Sequence, residues 1–303
     1  MRKYLFFIAV FLNLAVNAEV SVSAGHVDEY PAFKSNFTQP RDVFVWLPED
    51  YSPDKKYDVI YMHDGQMLFD AATTWNRQEW QVDEVLTSLA RENRIRPTIV
   101  VGVANIEKTR YGDYFPAKAL DFLPPQTPRP ESVAYDADNY LKFLVDELRP
   151  FIDRTYSTNS EKEHTGILGS SMGGLISLYA LCEYPEVFGG AVCMSTHTPL
   201  VLEFDTPENV EIWAKAFRDY LTRNLPAPNT AKIYMDRGDS TIDALYPQFQ
   251  NELDTLMISL GWSSPNWISN VYPGDAHTEV DWAARLRYPL TFLVGLPVQI
   301  PTI

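Results

Sequence analysis

The stretch Thr165-Gly166-Ile167-Leu168-Gly169-Ser170-Ser171-Met172-Gly173-Gly174 decides how the rest of the chain is read. Its first half is small and apolar, as in a short buried strand, and Gly169 to Gly173 match G-x-S-x-G. In a nucleophile elbow the chain turns sharply from strand into helix. Small residues must flank a serine whose strained backbone pushes its hydroxyl into a cleft. Ser171 is therefore the candidate nucleophile. Beyond it Leu175, Leu178, Tyr179 and Cys182 recur at helical spacing as far as Pro185, and Gly174 lets that helix lie close to the sheet.

Outward from the elbow, strands and amphipathic helices alternate. Toward the N-terminus, the pattern predicts an edge strand or lead-in around 28–33, strands over 41–47 and 59–62, and a helix over 78–90. A strand over 99–103 and a helix over 138–151 then precede the elbow. Beyond it the pattern predicts strands over 191–194, 232–235 and 267–272, with helices within 210–221 and over 247–260 and 282–294. This is an α/β chain: a mostly parallel sheet with helices on both faces, whose chemistry sits at the carboxyl ends of the strands.

That rule sorts the five histidines. His26 precedes the core and His164 enters the elbow strand at its amino end, so both are read as surface residues. His63 and His197 follow strands and are candidates for the cleft or for polar packing. His277 follows the last strand in Pro273-Gly274-Asp275-Ala276-His277-Thr278-Glu279 and is the candidate general base, because triad order in such sheets is Ser, acid, His. The acid must lie in Asp236-Arg237-Gly238-Asp239-Ser240-Thr241-Ile242-Asp243. Three carboxylates compete there, ranked Asp243, Asp239, Asp236. Asp236 at the strand end can simply fix the turn, and Asp243 can serve a helix N-terminus.

Composition bounds the setting. The chain has 303 residues, 46% hydrophobic and 13% aromatic, without a linker or repeat, and reads as one domain over 19–303. With 25 basic and 40 acidic residues the net charge is −15, which argues against nucleic acid or an anionic membrane as partner. Met1 to Ala18 has the pattern of a signal peptide: Arg2 and Lys3, an apolar core from Tyr4 to Val16, and Val16-Asn17-Ala18 as a cleavage site. The expected destination is the periplasm or the exterior, with no stable membrane span after cleavage. Cys182 and Cys193 read as buried thiols. No H-E-x-x-H, Cys/His cluster, Walker A or G-x-G-x-x-G occurs, so neither a metal nor an organic cofactor is expected.

Together, His63-Asp64-Gly65-Gln66, Gly169-Ser170-Ser171-Met172-Gly173-Gly174, Asp236-x-Gly238 followed by Asp243, and Ala276-His277-x-Glu279-x-x-Trp282 carry a resemblance. The chain resembles the putative-esterase family of α/β-hydrolases from about Arg41 to Val294. That family takes in esterase D, enterobactin esterases, feruloyl and acetylxylan esterases and bacterial mycolyltransferases. The resemblance implies the α/β-hydrolase fold, Ser171 as nucleophile, His277 as base and Asp243 as acid, with the N–H groups of Met172 and Gln66 as oxyanion donors. The acid loop departs from the family pattern, in which the acid often follows the glycine by two or three residues; Ser240 and Thr241 stand there. The implied reaction is acyl transfer from a small-molecule or glycan ester to water or an alcohol. The expected cleft wall comprises Trp75, Arg77, His197 and the loop 105–116 with Arg110, Tyr111, Asp113, Tyr114 and Phe115.

Overall fold

The computed structural model describes residues 19–130, 133–201 and 206–297; the expected signal peptide lies outside them. Eight strands form one sheet: β1 (His26–Phe33), β2 (Arg41–Leu47), β3 (Asp58–His63), β4 (Thr98–Val103), β5 (Thr165–Ser170), β6 (Gly190–Met194), β7 (Lys232–Arg237) and β8 (Trp267–Val271). Their order is β1-β2-β4-β3-β5-β6-β7-β8. β2 runs antiparallel to β1 and β4, and all other pairs are parallel. The helices are α1 (Val82–Arg91), α2 (Arg110–Tyr114), α3 (Ala137–Lys142), α4 (Arg149–Thr155), α5 (Met172–Glu183), α6 (Pro207–Asn224), α7 (Pro247–Ser259), α8 (Glu279–Arg285) and α9 (Arg287–Val294). This is the expected mostly parallel α/β architecture.

The central strands are buried along their whole length, as parallel strands covered on both faces must be. Successive side chains point to opposite faces, so one strand feeds two cores. Val59 and Tyr61 join Ile167, Tyr140 and Phe217 on one face, while Ile60 and Met62 join Leu168, Trp282 and Leu290 on the other. Cys182 and Cys193 are buried and unbridged.

Three local expectations are corrected. α1 begins at Val82 rather than Gln78, because Arg77 and Gln81 sit at φ 59° and 52°, outside helical geometry. The segment expected as a loop over 105–116 contains α2. The last helix is two, α8 and α9, meeting at Leu286. Pro289 has no N–H to return to the Arg285 carbonyl, and its ring crowds that position, so the helix cannot run through.

β5 ends the sheet's contribution to the site and α5 starts at Met172, leaving only Ser171 to make the turn. A Cβ on Gly169 would stand 2.5 Å from the Gly173 backbone, and one on Gly173 would press on His63 and Asp64 at 3.3–3.4 Å. The two glycines thus let the helix start fold back on its own strand and lie against the loop after β3. Gly169→Ala is expected to lower unfolding stability by about 1–3 kcal/mol, the range for overpacking a tight site, read as a shifted midpoint in urea denaturation.

Candidate active site

The ends of β5, β8, β3 and β6 supply the site, and the loop after β7 brings Asp243 to it. At the first, Ser171 has φ 56° and ψ −123°, a conformation strained for any residue with a side chain. Its N–H donates to the Met194 carbonyl (2.9 Å), and its own carbonyl accepts from the His197 N–H (3.2 Å). The turn is thereby tied to the end of β6.

After β8, His277 lies mostly buried in the loop leading into α8. Its backbone N–H donates to Thr241 Oγ1 (2.9 Å), and its ring packs edge-on to Trp282, centroids 4.9 Å apart. Thr278 caps α8 through the Asp281 N–H, while the Asp281 carboxylate accepts from the Ala276 N–H and the Thr278 hydroxyl. The loop on either side of the histidine is therefore pinned.

His277 Nδ1 donates to Asp243 Oδ1 at 2.6 Å. That leaves Nε2 as the free basic nitrogen. The other carboxylate oxygen of Asp243 accepts from Ser195 Oγ (2.6 Å) and the Gly238 N–H (2.7 Å). Burial pushes the Asp243 carboxyl up, but the bonds from His277, Ser195 and Gly238 outweigh it and hold the group below the usual carboxylate range. Ser195 in turn accepts from Trp282 Nε1 (3.1 Å) and Arg285 Nη2 (2.9 Å).

The two other acid candidates make different contacts. Asp239 is exposed and accepts from the Gly274 N–H (2.8 Å), so it shapes the turn after β8. Asp236 is buried against Arg285, both of its oxygens 3.2 Å from the guanidinium. Among the described residues neither is bonded to His277, whereas Asp243 is.

The third strand end is that of β3. Asp64 adopts a left-handed conformation (φ 57°) that turns the chain into a 3-10 turn over Gly65–Met67. Gln66 sits in that turn and Met172 opens α5, positions where helical N–H groups have no partner within their own turn. Arg110 grips Asp64 with two bonds, Nε to Oδ1 (2.8 Å) and Nη2 to Oδ2 (2.7 Å), and Asn105 Nδ2 adds a third (2.6 Å). Burial opposes the Asp64 charge, yet Arg110 and Asn105 keep the carboxyl below its ordinary range. α2, which carries Arg110, is itself anchored by a buried pair between Arg41 and Asp113. Arg110 thus props the loop that bears Gln66.

Tyr114, Phe115 and Asp113, expected in the cleft wall, are buried instead, and of its two candidate places His63 takes the polar packing one. Tyr114 is fully buried and its hydroxyl accepts from the Asp64 N–H (3.3 Å), so it supports the loop from below. His63 is buried between Tyr114 and Tyr140 and bonded through Nδ1 to the Tyr140 hydroxyl (2.8 Å); burial drives its pKa down to about 3. Trp75 is 84% exposed, and the exposed Arg77 turns its guanidinium back on the Ala72 carbonyl. Between them, Asn76 reaches Glu279 (2.9 Å), so this loop abuts the start of α8.

His197 lies at the fourth strand end, buried beside Ser171. Its Nε2 faces the Val201 carbonyl and its Nδ1 the Tyr246 hydroxyl (2.9 Å). Burial, helped by the nearby His277 and Arg110 charges, depresses its pKa to about 4 against the Val201 bond. Tyr246 also packs edge-on to His277, centroids 5.9 Å apart, and burial pushes its phenol up against the pull of the Ser171 hydroxyl. Ser195 and Tyr246 escaped the sequence reading. Each stands just past a motif residue, and no spacing rule marks either. Among the described residues, no group of three or more His, Cys, Asp or Glu is placed to hold a metal ion.

Residues 35–286 match the family described as Putative esterase. The chain belongs to that family. It is 30% identical to the uncharacterized protein YjcH of Bacillus subtilis over 57% of this chain and 62% of that protein. It is 25% identical to the ferri-bacillibactin esterase BesA of the same bacterium over 53% of this chain and 56% of BesA. The chain therefore spans less than two thirds of either relative. Among solved structures, a ferulic acid esterase superposes with a TM-score of 0.64 at 19% identity, covering 89% of this chain and 98% of the other, which is agreement in fold.

The two buried histidines impose a pH dependence on stability. Both have folded pKa values, about 3 and about 4, below the unfolded value of about 6.5. Between those limits the unfolded chain binds more protons, so stability rises with pH and falls as pH drops below about 6.5. From pH 7 to pH 5 each histidine is expected to cost about 2 kcal/mol. Urea denaturation at the two pH values checks this, and His63→Gln should flatten the difference.

Proposed function

We propose that the protein is an exported serine carboxylic ester hydrolase acting through a Ser171, His277, Asp243 triad on carbohydrate-linked acetyl or aromatic esters. One observation carries this reading: the charged Asp243 holds Nδ1 of His277 at the same end of the sheet as the strained serine of the elbow. Ser171 attacks the ester carbonyl while His277 Nε2 takes its proton, and the imidazolium formed is stabilised by Asp243. The N–H groups of Gln66 and Met172 receive the oxyanion. His277 returns the proton to the leaving alcohol. Water then enters by the same route in reverse and releases the acid.

Several features favour a neutral ester. Two cations on the cleft loops are already engaged: Arg77 is turned to a backbone carbonyl and Arg110 is paired with Asp64. A cavity of about 480 Å³ borders Gly65 and Gln66, though not Ser171 or His277, and is lined by Tyr30, Phe44 and Phe69 with Glu29, Asp42 and Asp70. Rings with carboxylates suit a hydroxyl-bearing sugar and repel an anion. Trp75, Ile242, Leu245 and Val280 are exposed apolar residues on the loops around His277, where an aromatic acyl group can rest. Export rests on the residues from Arg2 to Ala18. Among the described residues no helix is long and apolar enough to cross a membrane.

Ser171→Ala is expected to lose turnover by on the order of a millionfold with the fold retained. A fluorophosphonate probe should label the wild type at Ser171 and leave that variant unlabelled. Asp243→Asn should cost roughly four orders of magnitude, since the imidazole loses its fixed tautomer, whereas Asp239→Asn should cost far less; the reverse order would reassign the acid. For substrate, kcat/KM on acetyl and feruloyl sugar esters should exceed that on a ferric enterobactin-type lactone. A tenfold preference for the lactone, about 1.4 kcal/mol of discrimination, would make BesA's activity the better guide.

A further inference from the structure

The contacts of Tyr246 fix where every proton around it lies. A backbone carbonyl can only accept, so the His197 nitrogen facing Val201, Nε2, carries that ring's proton. In the neutral ring Nδ1 is then an acceptor, and it takes the Tyr246 O–H across 2.9 Å. The phenol has one proton, now committed. Its oxygen can therefore only accept from other groups, and the Ser171 hydroxyl beside it pulls the phenol's pKa down against burial. His197 holds it there: its backbone N–H donates to the Ser171 carbonyl (3.2 Å) while its ring takes the phenol proton.

The consequence appears once the serine is acylated. Ser171 Oγ then has no proton to offer, and the Tyr246 oxygen is left with an open lone pair. It lies beside both reacting residues, since His197 ties the Tyr246 hydroxyl to the Ser171 carbonyl and the Tyr246 ring packs edge-on to His277. We infer that Tyr246, its own proton held by His197, binds the hydrolytic water of the acyl-enzyme and thereby favours water over an alcohol as acyl acceptor. This rests on the acyl-enzyme reading above and deepens it.

The step balances with the groups in place. The water oxygen bonds to the acyl carbon, one of its protons passes to His277 Nε2, and the other stays on the oxygen and is held by Tyr246. Collapse breaks the bond from the acyl carbon to Ser171 Oγ, which recovers the proton from His277. A water molecule can satisfy His277 and Tyr246 together because it has two protons. An alcohol has one, so it engages His277 alone and gains nothing from Tyr246.

The test is Tyr246→Phe with p-nitrophenyl acetate, with and without methanol as competing acceptor. The expected result is a burst of p-nitrophenol close to one per enzyme, acylation within about twofold of wild type, and hydrolysis slowed about tenfold, the size of one lost neutral hydrogen bond. The hydrolysis-to-methanolysis ratio should fall by the same factor. An unchanged ratio, or acylation and hydrolysis falling together, would overturn the inference. Tyr246→Met removes the same hydroxyl and replaces the first variant if that one does not fold. Fluorophosphonate labelling separates the two levels: a wild type unlabelled at Ser171 sinks the esterase reading itself, whereas a labelled Tyr246 variant with wild-type partitioning sinks only the role of Tyr246.

Discussion

The backbone of Ser171 is the constraint on which the rest of the site depends. A side chain at φ 56° and ψ −123° costs on the order of 1–3 kcal/mol and persists only where the surroundings leave no alternative. Here they leave none. β6 takes the serine N–H, His197 and Leu175 both donate to its carbonyl, and the Gly169 and Gly173 backbones are in contact across the turn. Relaxing the serine would break the register of β5 with β6 or lift α5 off the sheet, both in the most buried part of the molecule. The strain is therefore carried by the core, and the hydroxyl remains at the cleft side because no lower path exists for the chain.

Around that serine, charge is sorted by what each group can hydrogen-bond. Asp243 stays ionised in a buried position because three donors converge on it, and Asp64 stays ionised because Arg110 and Asn105 do the same. His63 and His197 are equally buried, and that burial drives both toward the neutral form. Asp236 and Arg285 form a buried pair behind Ser195, with burial pushing the Asp236 carboxyl up against the pull of Arg285. His277, by contrast, has the Asp243 carboxylate on its Nδ1, a partner for the imidazolium form.

What could be read beforehand followed from local chemistry. The elbow, the strand ends and the order of Ser171, Asp243 and His277 leave marks in sequence, because each needs particular residues at particular spacings. Asp243 outranked Asp239 on loop position and family resemblance, and the deciding contact is the 2.6 Å bond to His277. The roles of Tyr114, Ser195 and Tyr246 left no such marks. Each depends on a pairing between segments far apart in the chain: Tyr114 with Asp64, Ser195 with Asp243, Tyr246 with His197. A tyrosine that props a loop and one that lines a cleft have the same local signature, so Tyr114 was placed above the loop when it lies beneath it. The start of α1 was misplaced for a different reason. A left-handed Gln81 is visible only in backbone geometry, since Gln is an ordinary helix former.

The net charge of −15 says little about the cleft until its cations are located. Arg110, Arg41 and Arg285 all lie near the site, yet each is paired with a carboxylate: Asp64, Asp113 and Asp236 respectively. A paired arginine contributes structure and almost no net field at the distance of a substrate. The loop bearing Gln66 is therefore held by a cation that is not available to an anionic ligand, and recruiting Arg110 to such a ligand would release Asp64 and the loop with it. Under the proposed reading, the ion pair that holds the Gln66 loop is therefore also what disfavours an anionic ester.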